Sequence, residues 1–331
     1  MFMDGIDADT AKRLPTLKKR IEKAKIPSSK LDETLNVAAW NVRDFGKNRR
    51  SKAAKYFLAE ILNQFDLIAL TEVRDNLKDF LDVKDILGPY WKFVVSDFRP
   101  DRAGNRERVA YLYDERMCQF TGLAAEADPP RKREKISPDE DSDYRSKYTW
   151  WRSPYMASFK AGNFDFTLLT AHMRWGSSES EREAALENLA DWIEKRRKNS
   201  SVFDKDIIVM GDFNIPKVGD SLYKALTKHG LKMPRALGTV KFTNVAGYTR
   251  PSSGKAYDQI LHYSYSAKSF TENGGILDFM GSKNGHKALF PDLTKTKFTY
   301  QLSDHFPLWL QIGCDIDGVH LDSVINRSKR G

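Results

Sequence analysis

Cysteine is scarce in this sequence: its 331 residues hold two, Cys118 and Cys314. They lie far apart and match no zinc-ligand spacing, which removes the common zinc-binding modules from consideration. A disulfide and two free thiols are both open, and a reducing compartment favours the thiols. Long apolar runs are also missing. None approaches the roughly 18 residues that a membrane span needs. The opening stretch Met1-Phe2-Met3-Asp4-Gly5-Ile6-Asp7 has no basic region leading into an apolar one, so no secretory signal is read there. A soluble cytoplasmic protein is the expectation. Internal repeats and low-complexity tracts are absent too. Acidic residues are outnumbered, 45 against 54 lysines and arginines, for a net charge of +9. That balance favours polyanionic partners such as nucleic acid, although basic proteins without such partners are common. The 40% apolar content suffices for a substantial core. The length suits one large α/β domain or two smaller ones.

What is present is a recurring pattern of short apolar runs that end in small polar residues. Ile207 to Met210 reads as a buried strand, Gly211 allows a tight backbone, and Asp212 and Asn214 follow. Two positions apart in extended chain, these side chains point the same way. Ligands in α/β folds bind at the ends of strands. A single such ending is equally well explained as an Asx turn; its recurrence is not. Leu35 to Trp40 ends in Asn41-Val42-Arg43-Asp44, Leu67 to Leu70 ends in Thr71-Glu72-Val73-Arg74-Asp75, and Phe164 to Thr170 ends in Ala171-His172. Between the first two, Ala54, Phe57, Leu58, Ile61, Leu62 and Phe65 form one helical stripe. Strand, helix, strand is the crossover unit of an α/β layer.

The chain divides into a charged helical arm at 1–33, a domain at 34–312 and a polar tail at 313–331. Further strands are expected near Trp91 to Val95, Arg108 to Tyr113, Tyr155 to Phe159, Ala256 to Leu261, and up to Ile312. Ser178 and Glu181 resemble a capping box for a helix that ends in Lys195-Arg196-Arg197-Lys198, charges that suit its dipole. Residues 124–148 mix Arg131, Lys132, Arg133 and Lys135 with Asp139, Glu140, Asp141 and Asp143, and read as a charged loop or lid. The glycine-rich stretch near 274–285 reads as irregular.

The polar residues at these strand boundaries are Asn41, Glu72, Glu107, His172, Asp212, Asn214, Asp258, Asp304 and His305. Oxygen ligands such as Glu72 and Asp304 suit Mg²⁺, with Mn²⁺ as the alternative, better than zinc. Two histidines and two further carboxylates can form two His–carboxylate pairs, each fixing a tautomer and raising imidazole basicity. One imidazole then deprotonates water while the other protonates a leaving oxygen. The asparagines can hold phosphate or water without adding negative charge. Together these groups fit metal-assisted hydrolysis of a phosphate ester.

Asn41-Val42-Arg43, Thr71-Glu72-Val73-Arg74-Asp75, Gly211-Asp212-Phe213-Asn214, Tyr257-Asp258-Gln259-Ile260 and Ser303-Asp304-His305 resemble, in order, the motifs of the endonuclease/exonuclease/phosphatase superfamily. The resemblance spans about Leu35 to Ile312 and is closest to the deoxyribonuclease I-like branch. It implies a two-sheet, four-layer α/β sandwich. It also implies roles: Glu72 as ligand of a catalytic Mg²⁺ with Asp304 and Asn41 beside it, and Asp212 and Asn214 orienting water and phosphate. His305 would pair with Asp258 and His172 with Glu107, with His305 favoured as base and His172 as acid, an order the residues leave open. Arg43, Arg74 and Arg152 fall where that branch contacts phosphate, a task suited to bidentate guanidinium groups. The abasic-site endonucleases usually carry an acid where this chain has Arg43, and they lack a histidine at the place of His172. The expected activity is DNA endonuclease, with RNA open as a substrate. A phosphomonoesterase or lipid-headgroup or inositol phosphate hydrolase on the same fold is the alternative, as is a non-catalytic nucleic-acid-binding protein.

Overall fold

The computed structural model describes residues 1–98, 105–135, 142–176, 178–202, 204–248, 254–263 and 270–318, with Leu321 and Ile325. Helix α1 (Ala8–Lys23) leads to β1 (Thr34–Phe45), α2 (Lys52–Leu62), β2 (Leu67–Arg74), α3 (Lys78–Leu87), β3 (Trp91–Val95) and β4 (Glu107–Asp114). Then come β5 (Gln119–Glu126), β6 (Arg131–Lys135), β7 (Ser142–Ser146), β8 (Tyr155–Ala161), β9 (Phe164–His172), α4 (Glu179–Lys198), β10 (Ile207–Asp212) and α5 (Ser221–Thr227). The chain closes through β11 (Asp258–Tyr263), β12 (Phe270–Ile276), the short helices α6 (His286–Leu289) and α7 (Lys295–Thr299), and β13 (Leu308–Gly313).

Two sheets carry the architecture. A six-stranded sheet has the order β12-β13-β1-β2-β4-β3, and a five-stranded sheet has the order β11-β10-β9-β8-β5. Alternation along the strands decides the layers, because successive side chains face opposite ways. In β1, Val37 and Ala39 face the second sheet, among Phe159, Phe166 and Met210, while Ala38 and Trp40 face the helices. The first sheet is covered on its outer side by α1, α2 and α3, and the second by α4 and α5 through Leu186, Leu189, Ile193 and Leu226. The result is the expected four-layer α/β sandwich.

Helix α2 shows how local sequence and packing agree. Ser51 caps it by accepting from the Ala54 N–H at 3.2 Å, and every residue from Ala53 to Leu62 is buried. The two charges on that buried surface have partners: Lys55 Nζ lies 2.7 Å from Asp79 and 2.6 Å from Asp82, and Glu60 lies 3.5 Å from Lys18. Unpaired, either would be costly to bury. The capping box ahead of α4 is also formed, with Ser178 Oγ accepting from the Glu181 N–H at 3.2 Å.

Three regions differ from their sequence reading. Residues 1–33 form more than a charged arm, because α1 packs Leu14, Leu17 and Ile21 into the core cluster of the first sheet. The charged stretch 124–148 holds a two-stranded ribbon, with Lys132 opposite Arg145 and Arg133 opposite Tyr144. Cross-strand backbone bonds need no apolar face, so hydrophobic patterning gives no sign of it. Its Asp139, Glu140 and Asp141 lie outside the described residues, as do 319–320, 322–324 and 326–331 of the tail. The glycine-rich stretch begins inside β12, where Gly274 pairs with Leu310; a Cβ on Gly274 would stand 3.0 Å from the Trp309 carbonyl oxygen. Both cysteines are buried free thiols. Among the described residues no helix is long and apolar enough to cross a membrane.

Candidate active site

Strand direction brings the polar endings to one edge. β1 and β2 run parallel, so Asn41 and Glu72 leave the first sheet together. β4 runs antiparallel to β2, which sets Glu107 opposite Arg74 at the same edge. In the second sheet, Asp212 is in register with His172 on parallel β9 and with Asp258 on antiparallel β11, so the three stand in one row. Gly211 is required for this row. Its φ is +135°, and a Cβ would fall 2.3 Å from the Ala171 carbonyl oxygen.

The two sheets then exchange partners. His172, from the second sheet, donates from Nδ1 to Glu107 Oε2 of the first at 2.7 Å. His305, just ahead of β13 of the first, donates from Nδ1 to Asp258 Oδ2 of the second at 2.7 Å. Their free Nε2 atoms both lie 3.8 Å from the same atom, Asp212 Oδ2. Asn41 bridges the sheets as well, donating from Nδ2 to Glu72 Oε1 at 2.9 Å and to Asp212 Oδ2 at 3.1 Å. Asn214 donates from its backbone to Asp212 Oδ1 at 3.0 Å and from Nδ2 to the Met173 carbonyl at 2.7 Å. Ser303 locks the last piece: its Oγ donates to the Asn41 carbonyl at 2.6 Å and accepts from the His305 N–H at 2.9 Å. Asp44, Glu72 and Asn214 adopt φ of +51°, +61° and +53°, left-handed conformations that are uncommon outside glycine and gather at functional sites.

The arginines are held by the same carboxylates. Arg152 pairs with Glu107, Nε to Oε2 at 2.7 Å. Arg74 donates from Nε to Asp44 Oδ1 at 2.8 Å and lies 3.7 Å from Glu107. Arg43 reaches Asp304 at 3.1 Å and Thr299 Oγ1 at 2.6 Å, and its guanidinium sits 4.0 Å over the Tyr300 ring. Eleven of the twelve residues singled out in the sequence line a single cavity of about 500 Å³. The twelfth, Asp258, stands behind His305. Trp151, Arg174, Trp175 and Tyr257 also line it, and sequence reasoning assigned them no part. The adjacent aromatic–basic pairs Trp151-Arg152 and Arg174-Trp175 were the available signal.

Electrostatics follow from this crowding. Burial alone would raise the Glu107 pKa, but His172, Arg152 and Arg74 outweigh it and bring it down to about 2. Burial would lower the His172 pKa; Glu107 and Asp212 outweigh that and hold it above the ordinary value. His305 is likewise raised, well above the ordinary value, because Asp258, Asp212 and Asp304 overcome its burial.

The donor chemistry fits a hard divalent cation. Each Glu72 oxygen accepts one protein hydrogen bond, from Asn41 Nδ2 and from the Asp44 N–H at 2.8 Å, which leaves lone pairs for a metal. Asp304 keeps 40% of its side chain exposed. Among the described residues, the acid and histidine trio with ligand atoms within 4.8 Å of one another is Asp212, Asp258 and His305. In that trio Asp258 is already committed to the His305 ring, so Glu72 offers the freer oxygens.

Comparison with known proteins agrees with this geometry. The model of the endonuclease/exonuclease/phosphatase family matches residues 38–305. Bovine (Bos taurus) deoxyribonuclease-1 is 22% identical over 289 residues, covering 83% of this chain and 91% of the relative. The endonuclease/exonuclease/phosphatase from Bacteroides vulgatus superposes with a TM-score of 0.54 at 18% identity, covering 84% of this chain and 98% of the other. A mannosyl-6-phosphatase from Bacteroides thetaiotaomicron superposes at 0.51 and 17% identity, covering 84% and 99%. The chain belongs to the endonuclease/exonuclease/phosphatase family, hydrolases of phosphodiester and phosphate ester bonds.

Proposed function

We propose that this protein hydrolyses phosphodiester bonds in DNA as a divalent-cation-dependent endonuclease of low sequence preference, leaving 5′-phosphate ends. The observation that supports this most is the pair of histidines, each oriented by its own carboxylate and each 3.8 Å from Asp212 Oδ2. Two proton-handling groups converging on one carboxylate oxygen suit a displacement at phosphorus in which one takes the proton of the attacking water and the other protonates the departing alcohol. The carboxylates around His305 favour its protonated form, so it acts as base in the fraction that has lost the Nε2 proton. There Asp258 keeps Nδ1–H, and Nε2 has a lone pair to take the proton of the attacking water. His172, held protonated by Glu107, gives its Nε2 proton to the departing O3′ as the P–O3′ bond breaks, which leaves a 3′-hydroxyl and a 5′-phosphate. Asn41, Asp212 and Asn214 hold water and phosphate between the rings. Arg43, Arg74 and Arg152 supply guanidinium contacts to the strand's phosphates. A divalent cation on Glu72, Asp304 and Asn41 would, when bound, neutralise charge on the phosphate and on Asp304, one of the carboxylates that hold the His305 proton.

Incubating supercoiled plasmid, linear duplex, single-stranded DNA and RNA side by side with Mg²⁺, and with EDTA as control, tests the reading. Nicking of plasmid that EDTA abolishes is the expected result. Turnover of inositol or sugar phosphates without any nicking would decide for a phosphomonoesterase instead.

A further inference from the structure

A second cavity, of about 310 Å³, lies behind the first and shares Trp151 and Arg174 with it. Its position follows from strand alternation. Met173 and Phe213, which line it, come one residue after His172 and Asp212, about 3.8 Å further along each chain, and face the opposite way. With Leu186 of α4 they form a buried apolar floor. Trp151 is the wall common to both cavities. It remains 41% exposed, and the Arg174 guanidinium lies 3.4 Å from its ring centroid. Arg182 and Glu181 add a polar edge, and the Arg182 Nε is buried without a hydrogen-bond partner.

We propose that this second cavity receives an unpaired nucleobase of the strand being cut, an inference that rests on the nuclease reading above. Its volume is at the small end of ligand pockets and suits one ring system rather than a polymer segment. Apolar floor, aromatic wall and polar edge match the faces and the edge of a base. The two cavities adjoin, with Trp151 and Arg174 lining both, so the base is placed in the second and a phosphate of the same strand in the first. The cationic rim of Arg174 and Arg182 favours a polyanion over a peptide or a neutral lipid. Paired bases in a duplex keep their faces stacked on one another, so only an unpaired base can use this wall. The protein should therefore prefer bulged, gapped or single-stranded DNA to intact duplex.

The test compares kcat/KM on three matched oligonucleotides: an intact duplex, the same duplex with one bulged nucleotide, and the bulge made with a base-free tetrahydrofuran residue. The bulged base should raise kcat/KM by about tenfold or more, in line with the contribution of one stacked base, and the base-free residue should lose that gain. Ala185→Phe fills the second cavity from α4 without touching the first, so it should cut intact duplex within twofold of wild type and lose the gain. A gain that survives either the base-free substrate or Ala185→Phe overturns the proposal. A readout without turnover separates it from the nuclease reading: in EDTA, a 2-aminopurine placed at the bulge should be quenched by wild type and not by Ala185→Phe or Trp151→Ala. Quenching without cleavage of any nucleic acid keeps the base site and removes the nuclease reading. Cleavage without base-dependent gain or quenching does the reverse.

Discussion

Replacing Glu107 by glutamine keeps its shape and removes one charge from the place where the two sheets meet. The Glu107 side chain is 4% exposed and faces His172, Arg152 and Arg74 together. Those cations bring its pKa from 4.5 down to about 2. At about 1.4 kcal/mol per pH unit, the ionised carboxylate stabilises the fold by roughly 3 kcal/mol at neutral pH. Because the folded value is the lower one, this stability is present above pH 4.5 and is lost as the pH falls toward 2. His172 has the opposite sign. Its folded pKa is raised, so its contribution is complete below about 6.5 and fades as the pH rises through the raised value. Urea unfolding of wild type and Glu107→Gln should therefore differ by roughly 3 kcal/mol at pH 7 and by about half of that near pH 3. In plasmid nicking, the glutamine variant loses the charge that keeps His172 protonated, so the alkaline limb of its pH–rate profile should move to lower pH. A stability gap that does not narrow in acid, or an alkaline limb that stays in place, would refute this account of the pair.

Three further outcomes are expected. His172→Ala and His305→Ala should each lower nicking by about 10²- to 10⁴-fold while circular dichroism still reports a folded protein; normal nicking by either would remove that histidine from the proton transfers. Glu72→Ala should shift the Mg²⁺ titration of activity to higher concentration or abolish activity, and an unchanged titration curve would count against its role as a ligand. Leu17→Ala, a truncation in the apolar stripe of α1, should cost about 2–5 kcal/mol of stability in urea unfolding, as buried leucines do. A loss below about 0.5 kcal/mol would mean that α1 is a free arm.

Much of the fold was legible because buried strands and amphipathic helices leave periodic traces. The Ala54–Phe65 stripe, the Ile207–Met210 run and the Ser178 cap appear as elements at those positions. The misreadings share a cause. In α1 the apolar Leu14, Leu17 and Ile21 are outnumbered by lysines and arginines, so charge masked the stripe. In β6 and β7 the ribbon is held by backbone bonds, and Arg131, Lys132, Arg133, Tyr144 and Arg145 are exposed, so no apolar pattern marked it.

The sequence by itself determined the chemical inventory of the site: which strand ends carry acids, amides and imidazoles, and where a glycine must let two backbones approach. It did so because strand ends and turns are local, governed by residues a few positions apart. Only the tertiary structure decided that three of those ends form one row across β9, β10 and β11, and that His172 and His305 each find an acid on the opposite sheet. It also decided that Trp151 lines two adjoining cavities. Those contacts join residues 47 and 65 positions apart through the packing of one sheet on the other, a long-range arrangement that no local pattern encodes.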